Sequence, residues 1–385
     1  MKIGIVCYPT FGGSGVVATE LGKALADHGH EVHFITYSQP ARLDFFSENL
    51  FYHEVTVSKY PLFDYPPYEL ALASKLVDVV SYEQLDILHV HYAIPHASAA
   101  YMAKQILASN GIHIPVVTTL HGTDITLVGK DRTYKPVVTF SINQSDGVTA
   151  VSQDLKNDTC KFFEIKKDIE YIIVHNGPRL RWSKYKSNHD SIIKKPGEYY
   201  LIYQGGIASV FGLKNLIYAL NLCENNIKLV LVGKELEIGF IKQIKLLISE
   251  LSLEDRVFFN TEYIPYDQLH GFTSQCTIGI SKLTIPESSA PINDRFLAGA
   301  SNKLIEYLAA GLPIILAEST DNIKFFASKD VGEYCDVSNY TEIAKAIKKI
   351  IEDNDRLLRI SQDNQTLFDS YLNFDKQFGI FLKAL

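Results

Sequence analysis

Three stretches of this 385-residue chain carry side chains able to do chemistry. The first is Phe11-Gly12-Gly13-Ser14-Gly15, directly after an apolar run and at the start of a helical pattern. Glycines let a backbone approach a ligand closely, and the unpaired N–H groups of a helix start favour negative charge, so Gly12 and Gly13 form a candidate anion cradle. The spacing is not the G-x-G-x-x-G dinucleotide fingerprint, and a tight strand-to-helix turn is the plain alternative. The second stretch runs from Thr118 to Thr126, immediately past another apolar run. There His121 is placed to donate a hydrogen bond to a substrate hydroxyl, with Thr119, Thr123 and Thr126 adding polar contacts; a histidine capping a turn is the alternative. The third is Ala300–Pro313, where a helix beginning near Ser301 carries Lys303 in its first turn. A cation there opposes the helix dipole, which points to an anion nearby. Glu306, one turn on, is able to bind a vicinal diol such as ribose, and an ordinary surface helix is the competing reading.

Metal chemistry is poorly supported by the pattern. His89, His91 and His96 lie with Tyr92 at the end of one run, and His89 and His91 share a face at period two. No acidic residue joins them, and Ile94-Pro95 turns the third histidine away, so Tyr92 and His96 read as ligand-edge contacts rather than metal ligands. The Asp-x-Asp spacing occurs at Asp353-Asn354-Asp355, between helical stretches, and reads as a solvated helix boundary. Five scattered cysteines without a C-x-x-C pair exclude a zinc knuckle and a disulfide framework and favour a reducing cytoplasm. A net charge of −7 argues against general nucleic-acid binding. The N-terminus reads straight into a strand without a signal-peptide pattern, and no apolar run is long enough to span a membrane. Small-molecule substrates are the expected partners, and a homo-oligomer is left open.

These residues need a scaffold, and the apolar runs supply one. Short β-branched segments at 2–7, 31–36, 87–90, 115–119, 148–150 and 171–174 alternate with helical spacing from Ser14 to Gly29 and over 68–80 and 98–108. The alternation restarts at 199–204, with a helix from about Lys214 and further runs at 227–232, 257–260, 277–280 and 313–317. Strand–helix alternation of this kind predicts an α/β protein with two doubly wound, Rossmann-like domains facing a central cleft. The expected division is 1–176 for the first domain, 177–197 for a linker rich in Arg and Lys, 198–368 for the second domain, and 369–385 for a helical segment packing back toward the first.

With these residues in view, the chain resembles the glycosyltransferases of the GT-B fold, in the large retaining family 4. The N-terminal half, through Cys7-Tyr8-Pro9, Gly12 to Gly15, His89 to His96 and Thr118 to Thr126, resembles more closely the branch that forms N-acetylglucosaminyl malate in bacillithiol biosynthesis. That resemblance implies an acceptor site for L-malate built from Ser14, Tyr92, Thr119 and Thr123, a catalytic His121 facing the transferred sugar, and Gly12 and Gly13 near the donor diphosphate. In the second half it places donor contacts at Gly206, Asn302, Lys303, Leu304 and Glu306. Family members usually carry an Arg and a Lys five residues apart after the first strand of this domain, where this chain has Gly206 and Phe211. The first glutamate of the family's pair is replaced by Ala298, and Asn302 to Tyr307 resembles a divergent branch linked to polysaccharide assembly. The two halves therefore resemble different relatives, as recombination or a chimera would produce.

What the resemblance implies is a metal-independent, retaining hexosyltransferase that moves a sugar, first N-acetylglucosamine from UDP-GlcNAc, to a small acceptor, first L-malate. No cofactor is expected beyond the nucleotide sugar. Loss of two cations at a diphosphate forfeits charge-assisted hydrogen bonds worth about 1.5–3 kcal/mol each. Lys303, Arg295, Lys282 and the N–H groups near Ser301 are the candidate replacements. The alternatives are a polysaccharide-pathway transferase with another donor or acceptor, and a catalytically weak GT-B protein that only binds sugar nucleotide.

Overall fold

A computed structural model describes residues 1–10, 13–43, 48–57, 65–166, 168–169, 171–177, 195–262, 264–281, 283, 301–318, 323, 325–326 and 329–382. The chain divides into two compact units, Met1–Asn176 with Gln377–Leu385, and Gly177–Lys376. Most of the 177–197 linker lies outside the described residues, as do Gly12, Lys282, Arg295 and Ala298.

The first unit is built on a seven-stranded sheet. Its strands are β1 (Lys2–Val6), β2 (Glu31–Thr36), β3 (Leu50–Glu54), β4 (Ile87–His91), β5 (Val116–Leu120), β6 (Gly147–Ala150) and β7 (Tyr171–Ile173). They lie in the order β3-β2-β1-β4-β5-β6-β7, every neighbouring pair parallel. The central strands read as short apolar runs because helices cover both faces. Among these helices are α1 (Gly13–Asp27), α2 (Tyr68–Glu83), α3 (Ser98–Ser109), α4 (Lys135–Asn143) and α5 (Gln153–Phe162). One face packs Leu72, Leu76, Val79 and Val80 of α2 against Val6, Leu88, Val90 and Val116. Ser14 lies inside the first turn of α1. Edge strand β3 is half-exposed, Phe51 and Tyr52 included, so its sequence lacks the continuous apolar run that marks the buried strands.

The second unit holds β8 (Tyr199–Gln204), β9 (Ile227–Val232), β10 (Val257–Asn260), β11 (Ile278–Ile280), β12 (Ile314–Ala317) and β13 (Gly332–Cys335). Their order is β10-β9-β8-β11-β12-β13, again all parallel. The helices are α6 (Leu213–Asn221), α7 (Phe240–Glu250), α8 (Tyr266–Thr273), α9 (Asn302–Ala309), α10 (Tyr340–Glu352) and α11 (Asn354–Leu367), and α12 (Phe374–Leu382) follows. Asp353 caps α11, its carboxylate accepting from the Arg356 amide at 2.9 Å, so the Asp-x-Asp spacing is a helix boundary. From Gln377 onward α12 groups with the first unit, where Phe381 stacks on His89 and Phe378 lies against His28. Among the described residues no helix is long and apolar enough to cross a membrane.

Candidate active site

At the carboxyl edge of the first sheet, the ends of β4 and β5 and the start of α1 bring a polar group together. Gly15 is required there, because a Cβ would sit 2.3 Å from the Thr10 carbonyl oxygen and 2.5 Å from that of Tyr8. This close turn sets Ser14 beside Tyr92, whose phenol hydrogen-bonds the Ser14 hydroxyl. Thr123 donates to the same phenol oxygen at 3.2 Å. Tyr92 follows β4 with φ 86°, a region that non-glycine residues enter at a cost, and backbone hydrogen bonds to Thr119 and Ala97 hold it. Three hydroxyls expected to contact an acceptor are thus collected around one oxygen.

His121 adjoins this group, its ring stacked on Tyr92 at 5.2 Å between centroids. Its Nε2 lies 2.8 Å from His91 Nδ1. His91 stacks at 4.7 Å on His89, which reaches Thr119 Oγ1 with Nε2 at 2.7 Å. Thr119 also contacts the Thr149 hydroxyl at 2.6 Å, so its hydroxyl is engaged within the sheet face rather than with the Tyr92 group. His96, read from sequence as an edge contact, is instead fully buried, with Nδ1 donating to the His91 carbonyl at 2.5 Å. The turn after Tyr92 folds the ring inward against Tyr8, at 4.6 Å between centroids.

Burial governs the charges here. It lowers His89 to about 3 and His96 to about 4, and lowers His91 as well, with help from its histidine neighbours. His121 keeps a partly exposed ring and is also lowered, by burial first and then by His89 and His96. All four are neutral imidazoles at neutral pH, so each ring offers one donor and one acceptor. Asp124 was not singled out from the sequence, yet its carboxylate accepts from the amides of Gly122 at 2.9 Å, His121 at 3.2 Å and Ala93 at 3.3 Å. It thereby fixes the loop that carries His121. Burial raises Asp124 to about 6, against the pull of those amides. The available signal was a carboxylate three residues after the strand-end histidine.

In the second unit the Gly205-Gly206 turn leaves β8, and Lys303 arrives over it from the first turn of α9. The Lys303 amine lies 4.2 Å above the Tyr203 ring. Gly205 has φ 145°, a conformation that L side chains rarely adopt, so the turn beside the Lys303 amine calls for glycine. Ser301 precedes α9 without a side-chain cap, leaving the first amides of the helix to other partners. Asn302 opens the helix, while Leu304 is buried in the apolar core as a packing residue. Glu306 is 7% exposed, and one carboxylate oxygen accepts from the Gln204 side-chain amide at 2.5 Å. Gln204 is held in turn by the Tyr307 hydroxyl, which accepts its backbone amide at 2.9 Å, and by Thr273, which donates at 3.1 Å. Gln204, Tyr307 and Thr273 were not anticipated, since the sequence separations are too large for spacing to reveal.

Comparison with known proteins agrees with this arrangement of two parallel-sheet units. Glycosyltransferase Family 4 matches residues 11–177, and Glycosyl transferases group 1 matches residues 184–366. The chain therefore belongs to the family 4 glycosyltransferases and has the GT-B fold. It is 39% identical over 361 residues, 92% of this chain and 88% of the relative, to N-acetyl-alpha-D-glucosaminyl L-malate synthase of Bacillus anthracis. It is 22% identical over 374 residues to an uncharacterized glycosyltransferase of Methanocaldococcus jannaschii, covering 96% of this chain and 93% of the relative. Among solved structures, sucrose-phosphate synthase from Thermosynechococcus elongatus aligns with a TM-score of 0.74 at 17% identity, over 100% of this chain and 98% of that one. Anabaena HepE in complex with UDP and glucose gives 0.72 at 18% identity, over 100% and 99%. One relative matches across both halves in a single alignment, which gives no support to a chimeric origin.

Proposed function

We propose that this glycosyltransferase moves N-acetylglucosamine from UDP-GlcNAc to the hydroxyl of L-malate, with retention at the anomeric carbon and without a catalytic metal. The observation that carries the reading is the convergence of Ser14, Thr123 and Tyr92 beside neutral His121, within a chain 39% identical to a malate-acting relative. Three hydroxyls at a helix start suit a small acceptor rich in carboxylate and hydroxyl oxygens, which the first amides of α1 also favour. His121, as a neutral ring bonded to His91, is suited to hold a sugar hydroxyl by donating or accepting one hydrogen bond. In this reading Thr119 acts through His89 and the sheet face rather than by touching malate.

For the donor, the Lys303 amine, the Gly206 turn and the first amides of α9 at Asn302 take the diphosphate. Lys303 thus stands in for the Arg and Lys absent at Gly206 and Phe211. Glu306, oriented by Gln204, takes the ribose in this reading. No side chain attacks the sugar: the leaving diphosphate accepts the acceptor proton on the face where the new bond forms. Gly13, exposed at the start of α1, belongs to the donor side together with Gly12. Cytoplasmic residence is part of this reading. The test is proton NMR of a reaction containing UDP-GlcNAc and L-malate, following UDP release and the configuration of the new anomeric centre. A malate-dependent product with the donor's configuration supports the proposal. Inversion, or UDP release unaffected by malate, overturns it.

A second reading draws on Gly206 and Phe211, where the usual cation pair is absent: a transferase with a different donor or acceptor. Turnover of another nucleotide sugar in preference to UDP-GlcNAc favours it. Binding of UDP with no turnover of any donor favours the binding-only form.

A further inference from the structure

Within the first unit, a second polar group lies apart from the carboxyl edge, in the middle of β2 and at the far end of α2. In parallel strands, register partners share a face; His33 pairs with Phe51 and Ile35 with His53, so both histidines point to the side covered by α2. His33 Nδ1 lies 2.9 Å from His53 Nε2, with the two rings 18° from parallel. The other nitrogen of His33, Nε2, lies 3.0 Å from the Glu31 carboxylate, which also pairs with Lys2 at 2.9 Å. Lys2 first, and His33 second, hold the Glu31 carboxyl below its usual range. With Nε2 on the Glu31 carboxylate, His33 presents its Nδ1 to His53. Glu83 ends α2, and one ligand atom each from His33, His53 and Glu83 lie within 4.8 Å of one another.

We propose that His33 Nδ1, His53 Nε2 and the Glu83 carboxylate bind one divalent transition-metal ion of the zinc class, with Glu31 as the positioning residue behind His33. Two imidazoles and one carboxylate suit zinc or cobalt rather than magnesium or calcium, which prefer all-oxygen sites. A histidine that ligates through one nitrogen and donates through the other to a carboxylate is more basic and fixed in orientation. His33, 1% exposed, is already held in that way. Tetrahedral coordination at about 2.0–2.1 Å sets the two nitrogens about 3.4 Å apart, a few tenths of an ångström wider than they stand. His53 and Glu83 are half-buried and able to supply that shift, while solvent completes the coordination. Lys75 is the nearby charge that opposes a cation, and Glu83 offsets it at His53. The ion would join β2, edge strand β3 and α2. It lies apart from Tyr92 and His121, so its role is to hold the sheet edge and is independent of the transfer reaction.

The test uses the full chain, freed of metal by chelator and titrated separately with Zn²⁺ and Co²⁺. The expected result is one tightly bound Zn²⁺, a raised melting temperature, and a visible absorption band of tetrahedral Co²⁺. His53→Gln and Glu83→Gln, both at half-buried positions, each weaken Zn²⁺ binding by about tenfold or more, with unchanged far-ultraviolet circular dichroism. Glu31→Gln weakens it by about 10–100-fold. Absence of stoichiometric binding, or an affinity that His53→Gln and Glu83→Gln leave unchanged, overturns the site. An affinity unchanged in Glu31→Gln overturns the positioning role.

Discussion

Thr123 and Ser14 share a single phenol oxygen on Tyr92, so each makes a contact that an acceptor hydroxyl or carboxylate can take over. Replacing Thr123 with Val keeps the shape and removes the hydroxyl. A neutral hydrogen bond is worth about 0.5–1.5 kcal/mol, so Thr123→Val is expected to raise the KM for malate about 2- to 10-fold with little change in kcat. Steady-state kinetics with malate varied at saturating UDP-GlcNAc checks this, and an unchanged KM removes Thr123 from the acceptor site. In the proposed reading Lys303 is the corresponding residue on the donor side. Its loss in Lys303→Met removes a charged contact worth about 1.5–3 kcal/mol, so UDP affinity should fall about 10- to 150-fold. Isothermal titration of UDP into wild type and variant measures it, and equal affinities mean that other groups carry the diphosphate.

Strand β4 and the turn after it hold three fully buried histidines, and their shifts make the sheet edge acid-sensitive. Because His89, His91 and His96 are lowered when folded, the unfolded chain binds the extra protons as pH falls. The contribution of His89 and His96 is present above the unfolded value of about 6.5 and is lost toward pH 3–4, at up to about 1.4 kcal/mol per pH unit for each ring, and the lowered His91 acts in the same direction. Asp124, raised to about 6, works the other way between about 6 and 4, since the folded chain then holds its proton. One carboxyl does not offset three imidazoles. Denaturant unfolding at pH 7.5, 6.0 and 5.0 should show stability falling steadily; a stability independent of pH over that range contradicts charge-excluding burial. At the same scale, the sequence exposed some elements and hid others for physical reasons. Strands β1, β2, β8 and β9 are legible because burial on both faces favours short runs dominated by aliphatic and aromatic residues. β3 and β13 lack such runs at the sheet edges. The Gly13-to-Gly15 turn and the start of α9 were legible from glycine and from a cation in a first helical turn. The Gln204–Glu306 contact was not, because its partners are 102 residues apart and only the packing of α9 beside the end of β8 brings them together.

Over the whole molecule, sequence identity to one glycosyltransferase extends across both units. A ligand that binds only the folded chain stabilises it by mass action, about 2.7 kcal/mol at a hundredfold excess over its Kd. UDP should therefore raise the melting temperature of the full chain, and UDP-GlcNAc should do so more than other UDP-sugars. A shift produced equally by every UDP-sugar would mean that the sugar itself is not recognised. The most direct test of substrate assignment is a single-pot competition: UDP-GlcNAc with equimolar L-malate, other hydroxy acids and simple sugars, with products resolved by mass spectrometry. N-acetylglucosaminyl malate is the predicted dominant product, and its yield should fall in Thr123→Val. Dominant transfer to any other acceptor, with malate left unmodified, would contradict the assignment.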